Sequence, residues 1–434
     1  MTNWRGGWRQ GLTYGGLGLP LAFVALPLYV ILPNHYASTF GIPLATLGAL
    51  LLGARLFDAV ADPWIGRWVD AGFGRSAAWL LGLAALAAAV LALGFLGLFF
   101  PAVDVQDPSA LLIWCALLLT MTYFSFSVLT VLHQAWGARL GGDEAQRARI
   151  VSWREGLALL GVLVASVLPS LAGLAMTSAV FAVLLLLGWL LLTRSPQPQI
   201  GALQRAAPSL TAPLHNPAFR RLLLVYLVNG VASAVPATLV LFFIRDRLQA
   251  PSFEPLFLAS YFAAGALSMP LWLRAVVRFG LVRSWLLGML LAIVTFAWAA
   301  VLGAGDVLGF TLVCIASGMA LGADLTLPGA LLAGLIQRAG HAQQLEGAYF
   351  GWWNFATKLN LALAAGIALP LLALFGYAPG ERDAAALRSL SIAYCLLPCA
   401  LKLVAAALLA SRWLTAQSAG PLATAQPTHS GKKA

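Results

Sequence analysis

The chain has 434 residues, of which 61% are hydrophobic and only 9% charged. A soluble domain carries roughly 25% charged residues, so a single water-soluble globule is excluded. A net charge of +11 would by itself suit a nucleic-acid binder, but the basic residues sit between apolar runs rather than in one patch, which argues for membrane topology and against nucleic acid.

About twenty consecutive apolar residues span a bilayer as a helix. Twelve such segments are predicted, near 14–34, 43–69, 77–99, 110–134, 153–174, 177–193, 220–243, 256–277, 284–303, 308–336, 347–376 and 390–411. No strand alternation competes with them, so the fold class is an all-α membrane protein. The first segment follows a short basic leader with Arg5 and Arg9 and is read as a span rather than a cleaved signal. The fifth and sixth share the stretch 153–193, whose division is left open.

The longest polar interruption, Arg194 to Arg221, contains Ser195-Pro196-Gln197-Pro198 and Pro213-Leu214-His215-Asn216-Pro217. Its prolines argue against a continuous helix. The expected organisation is therefore an N-terminal six-helix bundle (1–193), a central cytoplasmic loop (194–219), a C-terminal six-helix bundle (220–412) and a disordered cytoplasmic tail (413–434). With the N-terminus inside, nineteen of the twenty-six Lys and Arg fall on the cytoplasmic side. The other side receives Arg245, Arg247, Arg382 and Arg388, while Arg55, Lys358 and Lys402 lie within spans. This positive-inside bias places both termini in the cytoplasm. Cys115, Cys314, Cys395 and Cys399 all lie in apolar segments and are read as buried free thiols.

The second segment holds Arg55-Leu56-Phe57-Asp58-Ala59-Val60-Ala61-Asp62-Pro63. Asp58 and Asp62, four residues apart, lie one above the other on a helix face shared with Arg55. An acid at the centre of a spanning helix costs about 2.5–3.5 kcal/mol, so such charges line a solute or ion path or are neutralised by partners within the bundle. Two readings follow. Carboxylate oxygens suit Na⁺ or H⁺; alternatively, Arg55 holds Asp58 and Lys358 holds Asp62 in a permanent ion-pair network.

Several stretches resemble a known family. Gly66, Asp70, Gly74 and Arg75 resemble the loop motif of the major facilitator superfamily. The pattern Arg55-x-x-Asp58-x-x-x-Asp62-Pro63-x-x-Gly66 resembles the second-helix signature of the glycoside–pentoside–hexuronide:cation symporters, the melibiose permease-like group. Ala135-Trp136-Gly137-Ala138 with Asp143, Arg147 and Arg154 is similar to that family's connection between helices IV and V. Asn216-Pro217-x-Phe219-Arg220-x-Leu222 with Asn229 resembles the start of its seventh helix. Gly347-x-Tyr349-Phe350-Gly351-x-x-Asn354-x-x-x-Lys358-Leu359 resembles its eleventh. The resemblance implies the major facilitator fold, with two bundles rocking about a midplane site. It also implies a cation site at Asp58 and Asp62 with Lys358 beside it. Ala22 and Thr122 stand where the family carries sugar-binding aspartates, so a less hydroxylated or amphipathic solute is expected. The related lysophospholipid symporters extend that expectation to a lysolipid-like solute, carried inward or exported.

Around Lys358 lie Trp353, Asn354 and Thr357, suited to a solute with polar and apolar faces; interhelical hydrogen bonding is the plainer role. Asp324 is a third intramembrane acid, read as a partner of Lys358 or a pathway residue. Thr122, Asn229 and Tyr261 complete the expected substrate cavity, and Lys402 is read as snorkelling to an interface. Asp70, Arg75, Arg147 and Arg154 are read as gating charges or as solvated topology charges. Neither a phosphate-cradling Gly-x-x-x-x-Gly-Lys-Ser/Thr loop nor a His-Glu-x-x-His or Gly-x-Ser-x-Gly constellation is present, which disfavours an ATP-driven pump and an enzyme. The expected protein is a monomeric, Na⁺- or H⁺-coupled carrier of a small organic solute in a bacterial inner membrane. It needs no cofactor and no metal beyond Na⁺ at Asp58 and Asp62. A non-transporting receptor or scaffold is the remaining alternative.

Overall fold

The computed structural model describes residues 4–200, 209–378, Gly380 and 383–418. Nine helices long and apolar enough to cross a membrane are found among these residues. Dividing two of them at glycine bends and adding Leu44–Phe73, which carries Asp58 and Asp62, gives twelve helices, numbered here in chain order. The N-terminal half contains α1 (Gly18–Phe40), α2 (Leu44–Phe73), α3 (Ala77–Phe99), α4 (Pro108–Ala138), α5 (144–172) and α6 (174–193). The second half contains α7 (Pro217–Arg247), α8 (254–279), α9 (281–299), α10 (Val307–Arg338), α11 (Glu346–Leu374) and α12 (Ala384–Ser411). Residues 413–418, expected in the tail, continue the last helix to Ser418. The rest of that tail and Arg382 lie outside the described residues.

Local chemistry sets the helix boundaries. Ser76, Asp107, Asn216 and Asp383 each accept a backbone N–H at the start of α3, α4, α7 and α12, and Asp143 forms a capping box with Gln146 at α5. The division left open between 153 and 193 falls at Gly173, where φ is 75°. Gly280, with φ of 79°, divides α8 from α9 in the same way. Only glycine enters this left-handed region without steric penalty, which is why both bends fall at glycines.

Exposed Leu93, Leu171, Leu267 and Leu374 face outward, as a lipid-facing surface requires. Inside, the largest buried cluster joins the N-terminal helices to Leu332 and Ile336 of α10 and Tyr349 and Phe350 of α11. These residues lie toward the end that carries the loops with Arg75, Arg139 and Arg338. Leu52, Leu56 and Phe57 of α2 are exposed, as are Val60, Trp64 and Trp68 farther along the same helix. The two halves are packed together at the basic-loop end.

Candidate functional site

One buried charge cluster and a set of polar contacts bridge the two halves, and a second buried charge cluster lies within the C-terminal half. In the first cluster, Lys358 on α11 reaches across to α2. Its Nζ lies 2.7 Å from Asp58 Oδ2 and 2.8 Å from Asp62 Oδ2. It also donates to Ser127 Oγ on α4 at 2.8 Å, and the Ser127 hydroxyl donates to Asp58 Oδ1 at 2.6 Å. Both carboxylates are buried. Asp62 Oδ1 is enclosed and has no hydrogen-bond partner among the described residues.

The permanent network expected from the sequence has different connections here. Lys358 bridges both acids, while exposed Arg55 stacks 4.0 Å from the Tyr29 ring centroid. No ion pair from Arg55 to either acid is found among the described residues. An arginine on the same face as two acids need not meet them, because an aromatic face holds its guanidinium as well. Ser127 went unnoticed in the sequence, where a serine in an apolar helix reads as an ordinary interhelical contact.

The second cluster lies in the C-terminal half. Lys402 on α12 pairs with Asp324 on α10 at 2.8 Å and also donates to Asn229 Oδ1 and Ser233 Oγ on α7. Asp324 accepts from Asn229, Ser233 and the Trp285 indole of α9 at 2.9–3.1 Å. Asp324 therefore partners Lys402 and not Lys358. Lys402 is 3% exposed and does not snorkel, since a carboxylate within the bundle satisfies it better than a distant interface. Ser233 and Trp285 were missed; neither stands out in an apolar helix until Asp324 is placed beside it.

Between the clusters is a central cavity of about 310 Å³. Trp353, Asn354, Lys358, Asp324, Arg154 and Glu155 line it. Trp353 stacks on Tyr226 with centroids 3.7 Å apart. Thr122 is not among the lining residues: it is fully buried against Gly94 of α3. Tyr261 lines a separate cavity in the C-terminal half, and Asn229 supports Asp324.

The expected gating residues divide. Asp70 accepts the backbone N–H groups of Gly347 and Ala348 at 2.7 and 2.8 Å, and pairs with Arg139 at 3.2 Å. Arg139 also pairs with Glu346 at 2.9 Å. The cation that meets Asp70 and Glu346 is thus Arg139, which was not among the expected gating residues. Arg75 is exposed and stacks over Trp79 instead. Arg147 joins α5 to α10 through Gln337 at 2.8 Å. Arg154 pairs with its neighbour Glu155 at 2.6 Å and faces the central cavity. His133 exchanges contacts with Tyr14, its Nε2 lying 2.7 Å from the Tyr14 carbonyl, a structural tie within the N-terminal half.

Twelve helices in two halves, packed together at the basic-loop end and sharing a central cavity lined by charged, polar and aromatic side chains, define an integral membrane transporter of the major facilitator fold, not an enzyme. The chain belongs to the family described as MFS/sugar transport protein, which matches residues 12–414. It is 26% identical over 161 residues to the inner membrane symporter YicJ of Escherichia coli (strain K12). That match covers 36% of this chain and spans 33% of the relative. Among solved structures, a bacterial homologue of the iron transporter ferroportin, in an outward-facing state, superposes with a TM-score of 0.72 at 18% identity, covering 94% of this chain and 99% of that one. The E. coli fucose:proton symporter gives 0.65 at 13% identity, over 91% and 98% of the two chains. The human organic anion transporter MFSD10 gives 0.61 at 20%, over 92% and 99%. At these identities the structural likeness speaks for the fold alone.

Proposed function

We propose that this protein is a cation-coupled symporter that carries a small organic solute by alternating access, with Na⁺ or H⁺ bound at Asp58 and Asp62. One observation carries the reading. Two buried carboxylates share a single ammonium, so the acids outnumber the cations paired with them, and Asp62 Oδ1 has no hydrogen-bond partner among the described residues. One monovalent cation completes the site. A buried, unpaired charge within a membrane is expensive to maintain, so cation binding is coupled to the helix positions that bring Lys358 between the acids. Asp58, Asp62 and Ser127 supply the oxygens that fit either ion.

The central cavity supports an amphipathic or sparsely hydroxylated solute. Its walls mix Tyr29, Phe126, Tyr226 and Trp353 with Asn354, Thr357, Arg154 and Glu155, a pattern that orients a solute by a few polar contacts on an aromatic bed. With the basic loops in the cytoplasm, closure at Asp70, Arg139 and Glu346 corresponds to an outward-facing state. A bacterial inner membrane agrees with the charge bias and with the location stated for YicJ.

Thermal unfolding of the purified protein with and without Na⁺, across pH, tests this reading. A ligand that binds only the folded state stabilises it by RT ln(1 + [L]/Kd). Na⁺ stabilisation that vanishes in Asp58→Asn and Asp62→Asn is the expected result. A pH response removed by the same substitutions, without a Na⁺ response, assigns the proton. Indifference to both ions refutes coupling at this site.

A further inference from the structure

The Asp324–Lys402 pair closes one wall of a cavity distinct from the central one. This second cavity, of about 150 Å³, lies within the C-terminal half and is lined by Val240, Phe257, Tyr261, Phe262, Phe296 and Tyr394. Asp324 also lines the central cavity, so its carboxylate stands where the two spaces adjoin. An apolar cavity of about 150 Å³ accommodates a benzene ring in another protein. The volume here therefore fits a phenyl-sized or branched alkyl group.

The charge at its mouth is balanced. Lys402 spends its three donors on Asp324, Asn229 and Ser233, and Asp324 Oδ1 is held by Asn229 and Trp285. A ligand with one charge would pair with one member and strand the other in a buried site. A zwitterion avoids this by replacing the direct Asp324–Lys402 contact: its ammonium takes the place of Lys402 at Asp324 Oδ2, and its carboxylate accepts the donor that Lys402 thereby frees. It also keeps charge-assisted contacts on both groups, which a neutral hydroxyl does not.

We infer that the C-terminal aromatic cavity is a binding subsite for a small zwitterion of the amino-acid type, its aromatic or branched apolar group among the aromatic side chains and its charged end at Asp324 and Lys402. The inference rests on the transport reading for its biological meaning, but its test does not require transport.

The test is equilibrium binding to the full chain in lipid nanodiscs, without ion gradients, by calorimetry. Four probes share one ring and differ in charge: L-phenylalanine, 2-phenylethylamine, 3-phenylpropionate and 2-phenylethanol. Phenylalanine is expected to bind, with the other three weaker by about tenfold or more. Lys402→Met should shift preference to the amine, and Asp324→Asn to the propionate. Ala237→Phe, which adds bulk at the cavity wall, should abolish phenylalanine binding; Val240→Phe replaces it if that variant does not fold. Equal binding of phenylethanol and phenylalanine, no binding of any probe, or full binding by the filled variants would overturn the inference. Because these measurements need neither Na⁺ nor a gradient, their failure leaves the response at Asp58 and Asp62 intact and separately measurable.

Discussion

Asp70 on α2 accepts the backbone N–H of Gly347, in the first turn of α11, at 2.7 Å. A carboxylate at a helix N-terminus meets free N–H groups and the positive end of the helix dipole, so the contact ties the two halves of the protein by one of the stronger kinds of hydrogen bond. Arg139 sits between Asp70 and Glu346 and neutralises part of their charge. Arg139 and Glu346 are buried and the Asp70 side chain is only 6% exposed, which limits the water and salt that would otherwise screen them.

Asp70→Ala should weaken closure at the basic-loop end by about 1.5–3 kcal/mol, the usual range for hydrogen bonds to a charged group. Spin labels on the ends of α2 and α11 should report a larger separation, and transport should slow more than solute binding weakens. An equal loss of both would show that Asp70 serves the binding site rather than the gate.

The same closure depends on two glycines. A Cβ on Gly66 would fall on the Gly347 carbonyl, and a Cβ on Gly347 on the Gly66 carbonyl. Gly347→Ala should therefore prop α2 and α11 apart and favour the state open at the basic-loop end. Thiol labelling of a cysteine introduced near Asp70 should accelerate. Unchanged labelling would mean that the helices can repack around an added methyl group.

Lys358→Met removes the only cation within ion-pair distance of Asp58 and Asp62 among the described residues. Breaking a buried pair by deleting one partner costs about 3–5 kcal/mol. The variant should unfold at lower temperature in cation-free buffer and recover much of the loss when Na⁺ is added or the pH lowered. Wild-type stability in cation-free, alkaline buffer would contradict the neutralising role assigned to Lys358.

Asp324 and Lys402 form a cleaner pair for a double-mutant cycle. Each single replacement, Asp324→Asn or Lys402→Met, should destabilise by about 3–5 kcal/mol, whereas the double variant should regain part of that loss because no lone charge remains. Additive effects in denaturant or thermal unfolding would show that the two side chains contribute independently.

Much of this molecule was legible before any tertiary contact was known. The apolar runs are local properties, decided by side-chain hydropathy within a few residues, whereas the bend at Gly173, left open in the sequence, and the helix caps were placed only by the structure. Asp58 and Asp62 were identifiable from local properties as well. Four residues of helix place them on one face, and apolar surroundings make their charge conspicuous. What the sequence could not decide was the pairing. Lys358 lies 300 residues from Asp58, Lys402 was assigned to an interface, Arg55 turned to Tyr29, and Arg139 rather than Arg75 met Asp70. A helix alone says which residues share a face but not what lies opposite. The choice of partner among several lysines and arginines is made by which faces the packing brings within about 4 Å, where the Coulomb attraction in a poorly hydrated interior outweighs any local preference.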